Sequence, residues 1–409
     1  MLLALAGGIR HEALCHFRRS GAAPIRARQD RMLEFTPDQQ MIREEAQRFL
    51  REQSSSEAIR LIVDTGASHD AGLWASISRE LGWCAMAVPE EFGGLGLGAT
   101  EVAILMELTG ARLACVPFWS TVCLAAPLLQ SAGSEPAKAK YLGAIAAGEM
   151  AVTVAYADLS VADPAATVAV KALRTDGGYR LDGKVAQVID LEAADIVLVP
   201  AALEDGATAL FALARDAGQS VAPLEVLDRT RPVAALELAM EVSAESRIDE
   251  GCVSAGQFRE ALAFANLGLA AEQLGAAQGA HEVTLAYIAE RVQFGRTIAS
   301  FQAIKHRCAK LVVEIAEARS LIFGAAQGLG ISDAAESALE IAGARVLASD
   351  LQFRAAEEAI QLHGGVGFTW EYDPHLYFKR AQANAALLGA REAQLDRIAA
   401  SVFGDGGVK

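Results

Sequence analysis

The chain has 409 residues, of which 52% are hydrophobic, and its formal net charge at pH 7 is −15. This length and hydrophobic content suffice for two or three domains around a substantial buried core. The negative charge argues against nucleic acid as a general partner, and the lack of any run of about 18 strongly apolar residues argues against a membrane span.

The six cysteines are scattered and show neither a C-x-x-C pair nor a zinc-like spacing with histidine. They are interpreted as reduced core thiols of a cytoplasmic protein, and no metal site is predicted.

Residues 1–31 differ from the rest of the chain because they contain six arginines and only two acidic residues. Two interpretations are open: an organellar transit peptide, or a translated upstream segment with the natural start at Met32. The second is favoured because Met32 directly precedes the first clear helix signal. In either case the segment is expected to be poorly ordered.

The segment from residue 32 onwards has the features of a helical domain. In "FTPDQQMIREEAQRFL", Thr36 can cap a helix, Pro37 suits its first position and Gln39 completes a capping box. Helical periodicity continues on both sides of a glycine-rich turn at 89–98, "PEEFGGLGLG". Residues 32–150 are therefore predicted to form an N-terminal helical domain.

The character of the sequence changes after residue 150. Short β-branched runs such as "AVTVAYA", "KVAQVID" and "ADIVLVPA" are separated by turn pairs, among them Asp176-Gly177 and Asp182-Gly183. Residues 151–248 are therefore predicted to form a small antiparallel β domain.

Long helical patterns return in residues 249–402, followed by a tail at 403–409. One buried helix face is predicted between 304 and 322, and a second pattern, from about 335 to 362, is ended by Gly364 and Gly365. The first face consists of Ile304, Cys308, Leu311, Val312, Ile315 and Ile322. These helices are predicted to form a bundle that also packs against another subunit. The predicted fold class is mainly α with a central antiparallel β domain.

General catalytic motifs are absent: the sequence has no nucleophile elbow, no P-loop and no H-E-x-x-H pair. Two segments of the predicted bundle could still carry chemistry. In "ERVQFGRTIASFQAIKH" (290–306) basic, aromatic and amide side chains surround a glycine break, and in "QLHGGVGFTWEYDPHLYFKRA" (361–381) glycines free backbone amides that could bind a phosphate. An ordinary helix-turn-helix and a plain helix C-cap remain alternative interpretations.

Together with "VPEEFGGLGLG" and the helix–β–helix order, these segments resemble the acyl-CoA dehydrogenase family over about residues 32–400. The resemblance implies a helical N-domain, a middle β-barrel and a C-terminal four-helix bundle, assembled as a dimer or a dimer of dimers. It also implies that FAD is the cofactor and that an acyl-CoA substrate loses its α-proton and β-hydride. An electron-transferring flavoprotein is the implied electron acceptor.

The resemblance divides the FAD site into two halves. The half that holds the pyrophosphate and adenosine, which in this family belongs mainly to an FAD on the neighbouring subunit, is intact. Its positions, matching R-x-x-F-G and Q-x-x-G-G-x-G, are Arg291, Phe294, Gln302, Gln361, Gly364 and Gly365. An arginine and free amides would offset the two phosphate charges.

The half that faces the flavin ring departs from the family pattern. Members usually carry a stretch like Y-x-x-T-E-P-x-A-G-S-D and, on a later strand, W-I-T-N. The corresponding stretches here are "AYADLSVADPA" (155–165) and "KVAQVIDLEAAD" (184–195), and the second has no threonine, tryptophan or asparagine. This departure calls into question whether the chain binds a flavin ring by itself.

The resemblance also leaves the chain without its catalytic base. The usual glutamate lies in a Y-E-G-T-like stretch, which is "LLGA" here, with Leu388 in place of the acid. Relatives that carry the glutamate on the preceding long helix would have it at Ala265. Removing a proton beside a thioester needs a carboxylate within hydrogen-bond reach, and neither residue supplies one.

The favoured prediction is a base-deficient acyl-CoA dehydrogenase subunit that is inactive without a related, catalytically complete partner. It would complete the partner's FAD site in a mixed assembly acting on bulky thioesters such as steroid side chains. Two alternatives stay open. One is an active homo-oligomer with an unrecognised base, Glu260, Glu272 or Glu371; the other is a non-enzymatic CoA-thioester binder or scaffold.

Overall fold

The structure is a computed structural model, and it describes residues 35–156 and 168–403. The predicted N-terminal extension at 1–31 and nearly all of the predicted tail lie outside these ranges. None of the helices in the described ranges is long and apolar enough to cross a membrane.

The N-terminal part is helical, and its first helix starts as the sequence predicts. The Thr36 hydroxyl accepts a hydrogen bond from the Gln39 amide at 3.2 Å, and the Gln39 side-chain oxygen accepts one from the Thr36 amide at 3.0 Å. The helices are α1 (Pro37–Gln53), α2 (Ser56–Thr65), α3 (Ala71–Ala75), α4 (Ala99–Ala111), α5 (Ala126–Ala132) and α6 (Glu135–Ala146). Two π-helical turns, Ser76–Glu80 and Trp119–Ala125, follow α3 and precede α5.

Within the described residues, the middle part is a curled sheet of seven strands around an apolar core. The strands are β1 (Val152–Val154), β2 (Val170–Thr175), β3 (Gly178–Ile189), β4 (Ile196–Ala202), β5 (Thr208–Ala214), β6 (Ser220–Pro223) and β7 (Val233–Ser243). Four pairings are antiparallel, whereas β1 and β2 run parallel to β4. The sheet differs from a purely antiparallel one because β1 and the start of β2 share the edge of β4 that β5 leaves free.

The C-terminal part is a bundle of long antiparallel helices with two shorter ones. Its elements are α7 (Ala255–Glu290), a hairpin of β8 (Val292–Gln293) and β9 (Arg296–Thr297), α8 (Gln302–Gly328), α9 (Ala334–His363), α10 (Pro374–Ala386) and α11 (Arg391–Phe403). α9 packs against the four other helices and ends at Gly364, as predicted.

The predicted buried face of α8 is correct for Leu311, Ile315 and Ile322 but wrong for Val312. Val312 is 52% exposed, and its neighbour Val313 is also exposed. One residue corresponds to about 100° of helix rotation, so Val312 lies beside the buried stripe rather than on it. A contact with another subunit, as predicted for the bundle, would cover these two valines.

α4 crosses α7 at a very short distance, and two glycines make the crossing possible. A Cβ atom at Gly275 of α7 would collide with the backbone carbonyl of Glu107, and one at Gly110 of α4 would collide with the carbonyl of Glu272. The Glu107 carboxylate then ties the N-terminal part to the bundle, because Arg43 of α1 and Arg319 of α8 each approach it to 2.7 Å. This crossing fixes the position of Glu272, which is part of the centre described below.

Candidate functional site

The predicted phosphate-side residues of the first segment lie on the surface at one end of the bundle. Arg291 follows the last turn of α7, and Phe294 is at the tip of the β8–β9 hairpin, where it is 92% exposed. Gln302 is the first residue of α8 and is exposed as well. Arg291, Phe294 and Gln302 are therefore available to a ligand or to another subunit.

The phosphate-side residues predicted in the second segment, Gln361, Gly364 and Gly365, lie at the C-terminal end of α9 and are also exposed. Gly364 has φ +65°, a left-handed backbone conformation that favours glycine, and its amide donates to the carbonyls of Ile360 and Gln361. Gly365 lies in the short 3₁₀ turn Gly364–Phe368. A plain C-cap function and a phosphate-binding function are both compatible with this turn.

The two segments are held together by Tyr287, one turn before Arg291. Its ring stacks on the ring of His363 with 4.1 Å between the centroids, and its hydroxyl donates to the His363 carbonyl at 3.4 Å. Because His363 directly precedes Gly364, the end of α9 lies beside the start of the hairpin. The structure thus brings the six predicted phosphate-side residues to one end of the bundle.

The first segment carries a local excess of positive charge. Residues 291–306 contain Arg291, Arg296 and Lys305 and no acidic residue, on a chain with a net charge of −15. The Arg296 guanidinium also lies 3.9 Å from the centroid of the Phe301 ring. A local positive surface of this kind suits the two phosphates of a dinucleotide.

Both predicted base positions are buried hydrocarbon. Leu388 is fully buried and has φ +55°, and its carbonyl accepts from the Gln394 side chain at 2.8 Å. The Leu387 carbonyl accepts from Arg345 at 2.9 Å, which fixes the same loop from the other side. Ala265 is also fully buried, and its carbonyl accepts from the Trp119 indole at 3.1 Å.

The three acids considered as replacement bases are poorly suited to that role. Glu260 and Glu371 are exposed, and Glu371 accepts a hydrogen bond from the Thr369 hydroxyl at 2.9 Å. Glu272 is only 2% exposed, and its two oxygens are bound by Arg231 and Arg380. Burial alone would raise the pKa of Glu272, but the two arginines outweigh it and hold the pKa below its ordinary value. A carboxylate with a lowered pKa and no free oxygen is a weak general base.

Glu272 belongs to a buried network of two carboxylates and two guanidinium groups, which is called the central network below: Asp228, Arg231, Glu272 and Arg380. Arg380 of α10 binds both carboxylates and also donates to the Thr230 hydroxyl at 2.6 Å. Arg231, from the loop before β7, binds Glu272 and donates to the Asn384 side-chain oxygen at 2.7 Å. The network joins the β domain to α7 and α10, and its charges balance.

The central network was not predicted from the sequence. A signal was present, because Glu272 is the only charged residue between Glu260 and Glu282, and a lone carboxylate in a mostly apolar helix needs a buried partner. The partners lie 41 and 108 residues away along the chain, however, so the sequence alone did not identify them.

The stretch at 184–195, which corresponds to the ring-facing stretch of the family pattern, contributes apolar side chains to the interior. Val188 and Ile189 at the end of β3 are fully buried in the chain, and Val188 belongs to the core of the sheet. The next residue, Asp190, is buried with φ +55°, and its carboxylate accepts from the Ser120 hydroxyl at 2.6 Å. Most of the other stretch, 155–165, lies outside the described residues.

Asp190→Asn should make the protein more stable at pH 7 than the wild type. Burial raises the pKa of Asp190 to about 6, against the opposing effects of Ser120, Arg231 and Arg380. Because this pKa is higher in the folded state, the contribution of the carboxyl to stability is complete below pH ~4 and is lost as the pH rises to about 6. The asparagine amide does not ionise over this pH range, and asparagine tolerates positive φ.

The measurement is the free energy of unfolding in urea for both proteins between pH 4 and pH 7. The advantage of Asp190→Asn over the wild type should grow by about 2 kcal/mol across this range. A difference that stays constant with pH would contradict the buried, ionisable Asp190 described here.

Among the residues that the structure describes, no group of three or more His, Cys, Asp or Glu residues is arranged to hold a metal ion. The cysteines in the described ranges, Cys84, Cys115, Cys123, Cys252 and Cys308, are free thiols, as the sequence predicts for them.

Comparison with known proteins gives matches along nearly the whole chain. The family models for the N-terminal and the C-terminal domain of acyl-CoA dehydrogenase match residues 36–149 and 255–403. The acyl-CoA dehydrogenase IpdE2 of Mycolicibacterium smegmatis is 32% identical over 366 residues, which cover 90% of this chain and 99% of the relative.

Two solved structures contain chains that are similar to this one. A chain of the ChsE4-ChsE5 complex from Mycobacterium tuberculosis superposes with a TM-score of 0.79 at 28% identity, covering 90% of this chain and 97% of that one. A chain of a variant of the Tcur3481-Tcur3483 steroid ACAD has a TM-score of 0.78 at 28% identity and covers 89% of this chain and 97% of its own length.

Proposed function

Because the chain belongs to the acyl-CoA dehydrogenase family, whose cofactor is FAD, we propose that it is the base-deficient subunit of a mixed acyl-CoA dehydrogenase. In this assembly it completes the FAD site of a related chain that carries the catalytic glutamate. The observation that carries the proposal is a contrast within one molecule: the phosphate-side residues are exposed together, whereas both base positions are buried hydrocarbon.

The residues present fit one half of FAD and not the other. Arg291, Gln302 and Gln361 would donate to the phosphates and the adenosine, and Phe294 would pack against the adenine. On the ring side, β3 places Val188 and Ile189 in the interior instead of hydroxyl or amide groups against a flavin. This chain therefore contributes cofactor affinity, and the partner contributes the ring-binding surface and the base.

The different roles of the two subunits follow from the chemistry of the reaction. When bound, FAD accepts the hydride from the β-carbon of the acyl group. Loss of the α-proton requires a carboxylate, which this chain supplies at neither base position. The function of its own residues is to orient the dinucleotide from the phosphate end, and binding energy of this kind holds the reactive part in place.

The partner and the substrate class are proposed from the two solved relatives. One is a complex of two different chains, and the other is described as a steroid ACAD. We infer that this chain likewise assembles with a paralogue and that the assembly acts on a bulky CoA thioester such as a steroid side chain. An electron-transferring flavoprotein as acceptor and a cytoplasmic location remain predictions from the family and from the cysteine pattern.

The two alternatives are less well supported by the geometry. An active homo-oligomer would need Glu260, Glu272 or Glu371 as base, and these acids are exposed or fully engaged by arginines. A scaffold without flavin would have no use for an arginine, two glutamines and a glycine turn assembled at one end of the bundle. Neither alternative has an observation in its favour.

Arg291→Ala should lower the flavin content of the mixed assembly with little effect on folding. Arg291 is exposed, and removing one charge-assisted phosphate contact costs about 1.5–3 kcal/mol, or roughly 10- to 100-fold in FAD affinity. The measurement is FAD retained per assembly after gel filtration, read from its visible absorbance. Arg391→Ala is the matched control, because Arg391 is an exposed arginine paired with Asp350 on a different helix. Equal FAD retention by the two variants would count against the half-site.

A further inference from the structure

The two base positions define where the reacting carbon of a substrate would lie in this chain. A glutamate at Leu388 or one at Ala265 would have to remove the same α-proton, so the α-carbon must lie within reach of both positions. The space between Leu388 and Ala265 is therefore the reaction space of the chain's own site. What fills this space decides whether the chain can bind an acyl-CoA at all.

The Arg231 guanidinium contacts a neighbour of each base position. On one side it is 5.6 Å from the ring of Trp119, the residue whose indole binds the Ala265 carbonyl. On the other side it donates to the side chain of Asn384, four residues before Leu388 in the chain. Arg231 is therefore one side chain away from each of the two base positions.

The central network holds Arg231 in this place. Glu272 binds Arg231 with one oxygen and Arg380 with the other, and Arg380 in turn binds Asp228, three residues before Arg231. Moving Arg231 out would leave Glu272 without one of its two cationic partners in the interior, which is strongly unfavourable.

A cavity next to the network is too small for a substrate. The cavity that Arg231, Glu272 and Trp119 line, together with Met106 and Thr109 of α4, has a volume of about 10 Å³. This volume holds about one water molecule, whereas pockets for small-molecule ligands measure roughly 300–1,000 Å³.

We propose that the described residues of this chain leave no acyl pocket between the two base positions, because Arg231, held by Glu272 and Asn384, fills the reaction space and locks the β domain onto the bundle. The acyl-CoA then binds entirely within the partner subunit. This inference rests on the proposed function and deepens it: the chain lacks both the base and the place where a base would act. Restoring a glutamate at Leu388 would place it against a closed ion-pair network and not against a substrate.

The test measures whether a small reagent reaches the reaction space in the full-length chain. Leu388→Cys places a thiol at the base position, and Ala390→Cys places one two residues away on the same loop, where the residue is exposed. Each variant is treated with methyl methanethiosulfonate, and labelling of that position is followed by peptide mass spectrometry, which separates it from the native cysteines. Circular dichroism confirms folding. If Leu388→Cys does not fold, Ala265→Cys reports on the same space from the other base position.

The thiol of Leu388→Cys should react at least about 100-fold more slowly than that of Ala390→Cys, since it requires local opening of the network. Introducing Arg231→Ala into both cysteine variants should remove most of this difference in labelling rate. Fast labelling of Leu388→Cys, blocked by octanoyl-CoA, would overturn the proposal by revealing an open acyl pocket. Protection that persists with Arg231→Ala would overturn the assignment of Arg231. Neither result affects the phosphate half-site, which the flavin content of Arg291→Ala tests separately.

Discussion

Arg380→Met should lower the free energy of unfolding by about 3–5 kcal/mol, because it leaves two buried carboxylates without their shared partner. Arg380 is 2% exposed and binds Asp228 and Glu272, which are buried to a similar extent. Methionine replaces most of the side-chain volume, so the loss reports on charge more than on packing. The measurement is equilibrium unfolding of the purified chain in urea at pH 7.

Arg391→Met is the matched control for this prediction. Arg391 binds Asp350 at 2.8 Å with both side chains substantially exposed, and an ion pair of this kind contributes only about 0–1 kcal/mol. If Arg380→Met and Arg391→Met lowered stability equally, the central network would not be the buried junction described here. A protein with all four network residues replaced by apolar ones of similar volume is expected to lose less than Arg380→Met alone.

Gly275→Ala should destabilise the protein about as much as Arg380→Met. The free energy of unfolding should fall by about 3 kcal/mol or more, or the variant should fail to fold. The added Cβ would collide with the Glu107 carbonyl, which belongs to a helix backbone and cannot rotate away. α4 and α7 would have to separate, and Glu107 and Glu272 would both shift from their arginine partners. Thermal unfolding monitored by circular dichroism gives the change in stability.

Gly343→Ala provides the control for the same substitution in a helix with free space. The nearest atom to its added Cβ would be Leu321 Cδ2 at 3.8 Å, an ordinary contact, so the helix preference for alanine should raise stability by up to about 1 kcal/mol. Equal effects of the two substitutions would show that α4 and α7 do not pack as closely as described.

Local features of the fold could be predicted from the sequence because their causes lie within a few residues. The capping box at Thr36 and Gln39 and the end of α9 at Gly364 follow from short-range hydrogen bonding and backbone freedom. The parallel pairing of β1 and β2 with β4 could not be predicted in this way, since it depends on which edge β5 leaves free. The prediction for Val312 was wrong because the spacing of apolar residues shows where a buried stripe runs along a helix but not how wide it is.

The candidate site also has parts that short motifs predict and parts that depend on tertiary packing. The positions of Arg291, Gln361 and Leu388 were identified from sequence motifs, and the structure adds which of them are exposed and which are buried. The central network was not predictable, because its members come from the loop before β7, from α7 and from α10. Only packing of the β domain onto the bundle brings Arg231 to Glu272 and Asn384, so the proposed closure of the reaction space has no counterpart in any short stretch of sequence.

The most direct test of the account is the visible spectrum of the chain, purified alone and after co-expression with a family paralogue that carries the glutamate. We expect no bound FAD in the chain alone, flavin absorbance in the mixed assembly, and bleaching of that absorbance by an acyl-CoA. A chain that by itself retains FAD and is bleached by an acyl-CoA would contradict the assignment as a base-deficient subunit.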